Sequence, residues 1–149
     1  MNIYIGSDYK GLERKKQILQ FLASDNNNVT DVGAYEYNEG DDFNDPAIAV
    51  ANSVLDDLGS CGILICGSGH GMTMQANRFK GIRAALCDSV DSAISARKHD
   101  DANVLCLSSD RLNDDATKEV VNMFLTTKFE SLERRVRRVN RLDEEKNYD

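Results

Sequence analysis

The stretch GILICGSGHGM at residues 62–72 joins an apolar run to a loop with a glycine at every second position. Its first five residues are apolar throughout instead of alternating, which is typical of a strand covered on both faces of a parallel sheet. A second run of this kind, NVLCL, occupies residues 103–107. Two such strands predict an α/β protein with helices on both sides of the sheet.

Outward from these runs, short β-rich segments alternate with longer helical ones. The predicted strands are residues 2–6, 29–33, 62–66, 82–87 and 103–107. Helical patterns cover residues 11–24 and begin again near Pro46, Gly71, Ser89 and Asp114. Helical crossovers imply parallel strands, so we expect a doubly wound five-stranded parallel sheet in a Rossmann-like three-layer sandwich. At 149 residues, the chain is expected to form a single domain, residues 1–149.

The segment 130–145 follows the last predicted strand and is rich in arginine. Leu132, Val136, Val139 and Leu142 recur in it at helical spacing, which predicts a C-terminal helical arm. Such an arm either packs on a partner subunit or lies solvated on its own domain, and the pattern alone does not choose between the two.

Composition excludes several classes of function. The net charge is −7, from 18 basic and 25 acidic residues, which argues against a nucleic-acid partner. No apolar run approaches the roughly 20 residues of a membrane span, and a strand-like segment begins one residue after Met1, where a signal peptide would lie. Four cysteines without a disulfide-type pattern predict reduced thiols and a cytoplasmic protein.

The glycine loop is the first candidate site, because ligands of open α/β sheets bind beyond the carboxyl ends of the strands. Gly67, Gly69 and Gly71 let the backbone turn its amides inward at a helix N-terminus, where partial positive charge gathers. This arrangement predicts an anion cradle. Met72 stands where a dinucleotide fingerprint has its third glycine, which disfavours an NAD site.

Cys66 opens the cradle. A thiol at a helix N-terminus is expected to have a lowered pKa, so that it could act as a base or nucleophile, although a buried strand-end cysteine is an equally common role. Cys61, Cys87 and Cys106 lack such a loop and are predicted to be packing residues. With two histidines and no Cys-x-x-Cys pair, we predict no metal site.

Two histidines and two arginines are further candidates. His99 lies in a polar stretch between a predicted helix and a strand, where it is either solvated or a proton donor. His70 lies inside the glycine loop, and its role stays open. Arg134 and Arg138 share a helix face and offer paired donors to a phosphate. Charge runs are usually solvated, but in this acidic chain the arginines form a local positive patch.

Together these residues resemble the family of ribose-5-phosphate isomerase B and the galactose-6-phosphate isomerase subunits. Six segments match in order: IGSDYKG (5–11), DVG (31–33), ILICGSGHGM (63–72), ANRFKGIRAAL (76–86), HDDANVL (99–105) and RRVRRV (134–139). The resemblance implies a cofactor-independent isomerase that interconverts ribose 5-phosphate and ribulose 5-phosphate through a cis-enediolate.

The resemblance also implies roles for individual residues. Cys66 would move the proton between C2 and C1, while the amides of residues 67–71 stabilise the enediolate oxygen and Ser68 places the substrate hydroxyls. His99 would open the sugar ring. The remaining expected substrate-binding residues are Asp8, Tyr9, Gly67, Gly69, His70, Gly71 and Asp100, with Arg134 and Arg138 on the phosphate. The family builds each site from two subunits, which implies a homodimer embraced by residues 130–145, with a tetramer as the larger alternative.

Two departures from the family pattern keep other functions open. Tyr9 stands where the family has a phosphate-contacting His, and Asp110 stands where many members have a phosphate-contacting Arg. A hexose 6-phosphate isomerase, for allose or galactose phosphate, is therefore an alternative, as is a non-catalytic sugar-phosphate-binding module of the same fold. A thiol redox protein is disfavoured, since Cys61 lies at the other end of the Cys66 strand.

Overall fold

The computed structural model describes residues 1–24 and 27–144. The strands are β1 (Asn2–Ser7), β2 (Asn28–Asp31), β3 (Cys61–Cys66), β4 (Ala84–Leu86) and β5 (Val104–Ser108). The helices are α1 (Leu12–Leu22), α2 (Asn44–Asp56), α3 (His70–Ala76), α4 (Val90–Asp100), α5 (Asp114–Thr126) and α6 (Glu133–Asn140), with a 3₁₀ turn at Arg141–Asp143. All pairings are parallel, in the order β2-β1-β3-β5-β4, which confirms the predicted doubly wound α/β fold.

The sheet is covered on both faces. Ile63 and Ile65 of β3 point into a core shared with α1, α4 and α5, whereas Leu64 and Cys66 point into a second core with α2 and α3. Successive side chains of a strand face opposite sides, so burial on both sides requires an apolar residue at every position. This is the physical origin of the unbroken apolar run that decides the fold.

The register brings the carboxyl ends of three strands together. Ser7 pairs with Ile65, and Cys66 pairs with Ser108. The chain runs from β1 outward to β2 and then returns to β3 on the other side of β1, which makes β1 and β3 the topological switch point. Ligands of open α/β sheets bind in the crevice beyond such a point, and Asp8 and Gly67 are the first residues beyond these two strands.

A buried lysine anchors the loop that follows β2. Lys15 of α1 is 1% exposed, and its ammonium lies 2.7 Å from the Asp31 carboxylate and donates a hydrogen bond to the Ala34 carbonyl. A buried charge is tolerated only when it is paired in this way. The ion pair therefore fixes the start of the acidic loop, which reaches the crevice further along.

Predicted boundaries were wrong in β2, β4 and the C-terminal arm. β2 covers Asn28–Asp31 instead of residues 29–33. β4 covers Ala84–Leu86 instead of residues 82–87, because the Ile82 amide donates to the Phe79 carbonyl at 3.0 Å and the Arg83 amide donates to the Asn103 side-chain oxygen at 2.8 Å. The arm is helical only over Glu133–Asn140, since residues before it bond to α4 through the Glu130 amide and the Lys98 carbonyl at 3.0 Å. Residue 145 of the predicted arm lies outside the described residues.

The position of His99 also differs from the prediction. It lies in the last turn of α4 and not in a loop. The helix ends one residue later, with Asp101 in the left-handed conformation at φ 49°. Glycine or asparagine usually occupies such a left-handed position after a helix. Because aspartate is found there instead, the sequence does not signal that α4 ends at Asp100.

The structure also shows the apolar character of the helices and the state of the cysteines. In the part of the chain that is described, no helix combines the length and apolar character that crossing a bilayer requires. All four cysteines are free and buried.

Candidate active site

The Cys66 thiol lies at the carboxyl end of β3, on the floor of the glycine loop. The residue is 5% exposed, and the Gly69 amide donates a hydrogen bond to its sulfur at 3.0 Å. Gly69 has φ +81°, and a Cβ there would lie 2.4 Å from the Leu86 side chain. Only glycine fits this conformation, and it turns the amide inward. The predicted cradle therefore faces the sulfur.

The expected lowering of the Cys66 pKa was wrong. Burial raises the pKa of the thiol above its ordinary value, and the Asp8 carboxylate raises it further. The amides of Gly69, Met72 and Ser68 act in the opposite direction but do not outweigh burial. Burial removes the thiol from water and so disfavours its charged form. The amides of the glycine loop therefore only reduce the size of the increase in the Cys66 pKa. Cys66 is therefore mostly a neutral thiol at neutral pH, and a stronger base once ionised.

Asp8 is the carboxylate whose charge raises the pKa of the Cys66 thiol. It is 8% exposed, and its Oδ1 accepts a hydrogen bond from the Gly11 amide at 3.0 Å. Burial raises the pKa of Asp8, and the Gly11 hydrogen bond partly opposes that effect. The hydrogen bond fixes the carboxyl group just before α1, where the sequence predicted a substrate-binding residue.

Asp8→Asn is expected to lower the pKa of the Cys66 thiol. The substitution removes the charge that disfavours the thiolate, while the amide oxygen still accepts the Gly11 hydrogen bond. The alkylation rate of Cys66 by iodoacetamide, followed against pH by peptide mass spectrometry, should rise at lower pH than in the wild type. Asp110→Asn, which removes an exposed carboxylate beside Gly67, is the control and should leave the profile in place. An unchanged Asp8→Asn profile would refute the coupling.

Other contacts hold the loop in place. The Ser108 hydroxyl donates to the Gly67 carbonyl at 2.6 Å, and the Asp110 amide donates to the same carbonyl at 3.1 Å. On the outer side, Ser68 and His70 are exposed, and the His70 amide donates to the Ser68 hydroxyl at 3.3 Å. The loop thus has a fixed inner side and offers two polar side chains to solvent.

Sequence reasoning missed Phe43 as a site residue. A Cβ on Gly71 would lie 2.7 Å from the Phe43 ring, so the ring packs directly on the glycine loop. In the same acidic loop, Asp41 accepts a hydrogen bond from the Tyr9 amide at 3.4 Å, and the Tyr9 ring contacts Tyr37 edge-on. The signal available in the sequence was an apolar ring between Asp42 and Asn44, in an acidic loop beside a predicted site.

A second group of predicted residues lies elsewhere on the chain. His99, Asp100, Arg134 and Arg138 line a cavity of about 280 Å³ together with Arg135. The His99 Nδ1 lies 3.2 Å from the Ser95 hydroxyl, which orients the ring. The cavity thus has one titratable imidazole beside a cluster of guanidinium groups.

Arg135 holds this cavity together and the other two arginines face outward. Arg135 pairs with Glu130 and donates to the Lys98 carbonyl, which keeps α6 on α4. Arg134 and Arg138 are exposed, and neither forms an ion pair within the described ranges 1–24 and 27–144. Two unpaired guanidinium groups on one helix face suit a phosphate.

The structure therefore divides the predicted site into two groups. The first contains Asp8, Tyr9 and the loop of residues 66–71, and the second contains the histidine and arginines of α4 and α6. Among the described residues, no member of the glycine loop lines the arginine cavity. In residues 1–24 and 27–144, no group of three or more His, Cys, Asp or Glu side chains is placed to hold a metal ion.

Comparison with known proteins identifies the family. The family model described as Ribose/Galactose Isomerase matches residues 3–142. The probable ribose-5-phosphate isomerase B of Mycoplasma genitalium is 42% identical over 147 residues, 97% of each chain. The ribose-5-phosphate isomerase B of Mycobacterium tuberculosis is 34% identical, over 97% of this chain and 89% of that protein.

Solved structures agree with the sequence matches. The Thermotoga maritima ribose 5-phosphate isomerase superposes with a TM-score of 0.91 at 38% identity, covering 95% of this chain and 97% of that one. The Mycoplasma genitalium ribose-5-phosphate isomerase B with bound ribulose-5-phosphate has a TM-score of 0.91 at 43% identity, covering 95% and 93%. The chain described here belongs to the ribose/galactose isomerase family.

Proposed function

We propose that this protein is a cofactor-independent aldose–ketose isomerase that interconverts ribose 5-phosphate and ribulose 5-phosphate. The observation that carries the proposal is the Cys66 sulfur held 3.0 Å from the inward-facing Gly69 amide, beside buried Asp8. A base beside preorganised amide donors is what formation of an enediolate requires. The bound ribulose-5-phosphate in a 43% identical relative supports this substrate.

Cys66 is the proposed base. The thiolate takes the proton from C2 of the open-chain aldose, and the electron pair passes to the carbonyl oxygen to form the enediolate. The thiol then returns the proton to C1, while a hydroxyl proton moves from O2 to O1, so that atoms and charge balance. Amides of residues 67–71 stabilise the developing negative charge on oxygen, a contribution that is typically worth about 3 kcal/mol for each donor. Ser68 and Asp8 bind sugar hydroxyls.

The second group of residues binds and opens the sugar. His99, whose Nδ1 is oriented by Ser95, donates a proton to the ring oxygen from Nε2. Arg134 and Arg138 bind the phosphate, and Asp100 contacts the sugar between them and the histidine. Tyr9 and His70 are the other proposed substrate-binding residues.

The two groups belong to one site if two copies of the chain combine. In this proposal the single domain, residues 1–149, forms a homodimer, and the arm 130–145 brings His99, Arg134 and Arg138 to the glycine loop of the partner. Arg134 and Arg138, which form no ion pair in the described part of the chain and line a cavity that no glycine-loop residue lines, support this arrangement. Free buried thiols support a reducing, cytoplasmic location.

An isomerase assay tests the function. Purified protein is incubated with ribose 5-phosphate, allose 6-phosphate and galactose 6-phosphate, and ketose formation is followed for each. The proposal predicts the highest kcat/KM with ribose 5-phosphate. A higher value with either hexose phosphate would favour the hexose alternative, which Tyr9 and Asp110 keep open. Thermal stabilisation by all three sugars without any turnover would make the protein a binding module.

Mixed dimers test the composite site. Cys66→Ala subunits and Arg134→Ala/Arg138→Ala subunits are each expected to be nearly inactive alone. Random mixing by co-expression leaves one intact site in each heterodimer, so about a quarter of wild-type activity should return. Mixing Cys66→Ala with Gly69→Ala is the matched control and should restore nothing, because both defects lie on the loop side of every site. No recovery in the first mixture would contradict the composite site.

A further inference from the structure

The Lys10 side chain lies across the glycine loop. A Cβ on Gly67 would be 2.8 Å from Lys10 Cδ and 3.7 Å from Lys10 Nζ. Gly67 directly follows Cys66, so the ammonium group is held at the edge of the loop that carries the proposed base. The Lys10 carbonyl accepts a hydrogen bond from the Ser109 hydroxyl at 3.2 Å, which fixes the lysine backbone between β1 and β5.

Carboxylates otherwise dominate this edge of the sheet. Asp110 Oδ2 would lie 3.1 Å from the same Gly67 Cβ position, Asp8 is buried beside Cys66, and Asp41 bonds to the Tyr9 amide. The net charge of the whole chain is −7. A phosphate dianion approaching the thiol past these groups is repelled unless a cation intervenes. Lys10 places such a cation against Gly67.

Two lysines reach the space beside the loop, and they differ in pairing. Lys10 and Lys16 both line a cavity of about 520 Å³ that also contains Tyr9, Tyr37 and Asp110. Lys16 pairs with Glu13 at 4.0 Å, whereas Lys10 forms no ion pair with any residue that the structure describes. The Lys10 ammonium is therefore free to bind an anion.

We propose that Lys10 is a substrate-binding residue that contacts the phosphate of the sugar phosphate from the subunit that carries Cys66. This inference rests on the proposed function. C1 and C2 of the substrate must lie at the Cys66 sulfur for the proton transfer, and from there the far end of an open-chain sugar phosphate can reach the loop edge where Lys10 lies. There the ammonium offsets the Asp110 carboxylate and adds to the arginine pair of the other subunit.

Kinetics of Lys10→Ala test the proposal, with Lys16→Ala as a matched control in the same cavity. Loss of one charged contact to the phosphate should raise KM for ribose 5-phosphate by about tenfold and leave kcat within about twofold. Competitive inhibition by inorganic phosphate should weaken by a similar factor. Lys16→Ala should leave both constants near wild type, and Lys10→Arg should restore most of the affinity.

The result that overturns the inference is distinct from failure of the proposed function. An unchanged KM in Lys10→Ala, or an equal increase in Lys16→Ala, would show that no specific contact exists. If the wild type fails to turn over ribose 5-phosphate, the proposed function fails, and calorimetric titration with ribose 5-phosphate then decides the role of Lys10. Weaker binding to Lys10→Ala alone supports the contact, and equal binding to all variants removes it.

Discussion

Cys66→Ala is expected to lower kcat with ribose 5-phosphate by about 10³-fold, because it removes the group that moves the proton. Substrate affinity should change little, since Asp8, the loop amides and the arginine pair remain. Cys66→Ser keeps a group of similar size that accepts the Gly69 hydrogen bond. It should be almost as inactive, because a hydroxyl ionises far less readily than a thiol and so cannot provide the base. Steady-state kinetics and calorimetric titration with ribose 5-phosphate measure the two effects.

Cys61→Ala is the matched control for Cys66. Cys61 lies on the same strand, is 3% exposed and stands at the opposite end from the glycine loop. Its substitution should leave kcat near wild type, at a modest cost in stability from the lost packing. If Cys66→Ala kept wild-type kcat while folding normally by thermal melting, the assignment of the base would be wrong.

Gly69→Ala is expected to have the second-largest effect. The new Cβ would lie 2.4 Å from the Leu86 side chain and 3.3 Å from the Leu107 backbone, at a φ of +81°. Relief of this strain must move the Gly69 amide away from the Cys66 sulfur. We expect kcat to fall by about 10²-fold or more, as for loss of one preorganised amide donor, and the free energy of unfolding to fall by about 1–3 kcal/mol.

Gly59→Ala separates the strain from the chemistry. Gly59 also has a positive φ, +91°, but a Cβ there meets no atom within 4 Å, and it lies before β3, at the other end of the strand from the loop. Urea denaturation should show a loss of stability in both variants, and only Gly69→Ala should lose kcat. Equal kcat in Gly69→Ala and the wild type would mean that the inward amide plays no part in the reaction.

The fold was predictable because burial on both faces leaves its mark in the sequence. Ile63, Leu64 and Ile65 enter two different cores, and a strand in that position must be apolar at every residue. The glycine loop was predictable for a related reason, since Gly69 occupies a conformation that other residues adopt only under strain.

Other properties depend on packing and were not accessible from local sequence. The pKa of Cys66 is raised because of burial and the Asp8 carboxylate, which directly follows a different strand, β1. His99 was placed in a loop because the helix that contains it ends at a left-handed Asp101, a residue that seldom signals a helix end.

Phe43 and Lys10 illustrate the same limit at the site itself. Phe43 precedes α2 and lies outside the segments that the sequence analysis singled out, whereas Lys10 precedes α1 inside the IGSDYKG segment, where it was assigned no role. Lys10 meets the glycine loop because the sheet register brings the ends of β1 and β3 together, and Phe43 meets it from the loop between β2 and α2. The sequence predicted where the chemistry lies, whereas these neighbours depend on the three-dimensional arrangement of distant segments.

The most direct test of Cys66 as the proton carrier is hydrogen exchange at C2 of ribose 5-phosphate in deuterated buffer, followed by NMR. Wild-type protein should replace the C2 hydrogen of the aldose with deuterium at a rate linked to isomerisation, and Cys61→Ala should do the same. Cys66→Ala should show no enzyme-dependent exchange at C2, although it still binds the sugar. Exchange at the wild-type rate in Cys66→Ala would contradict the account.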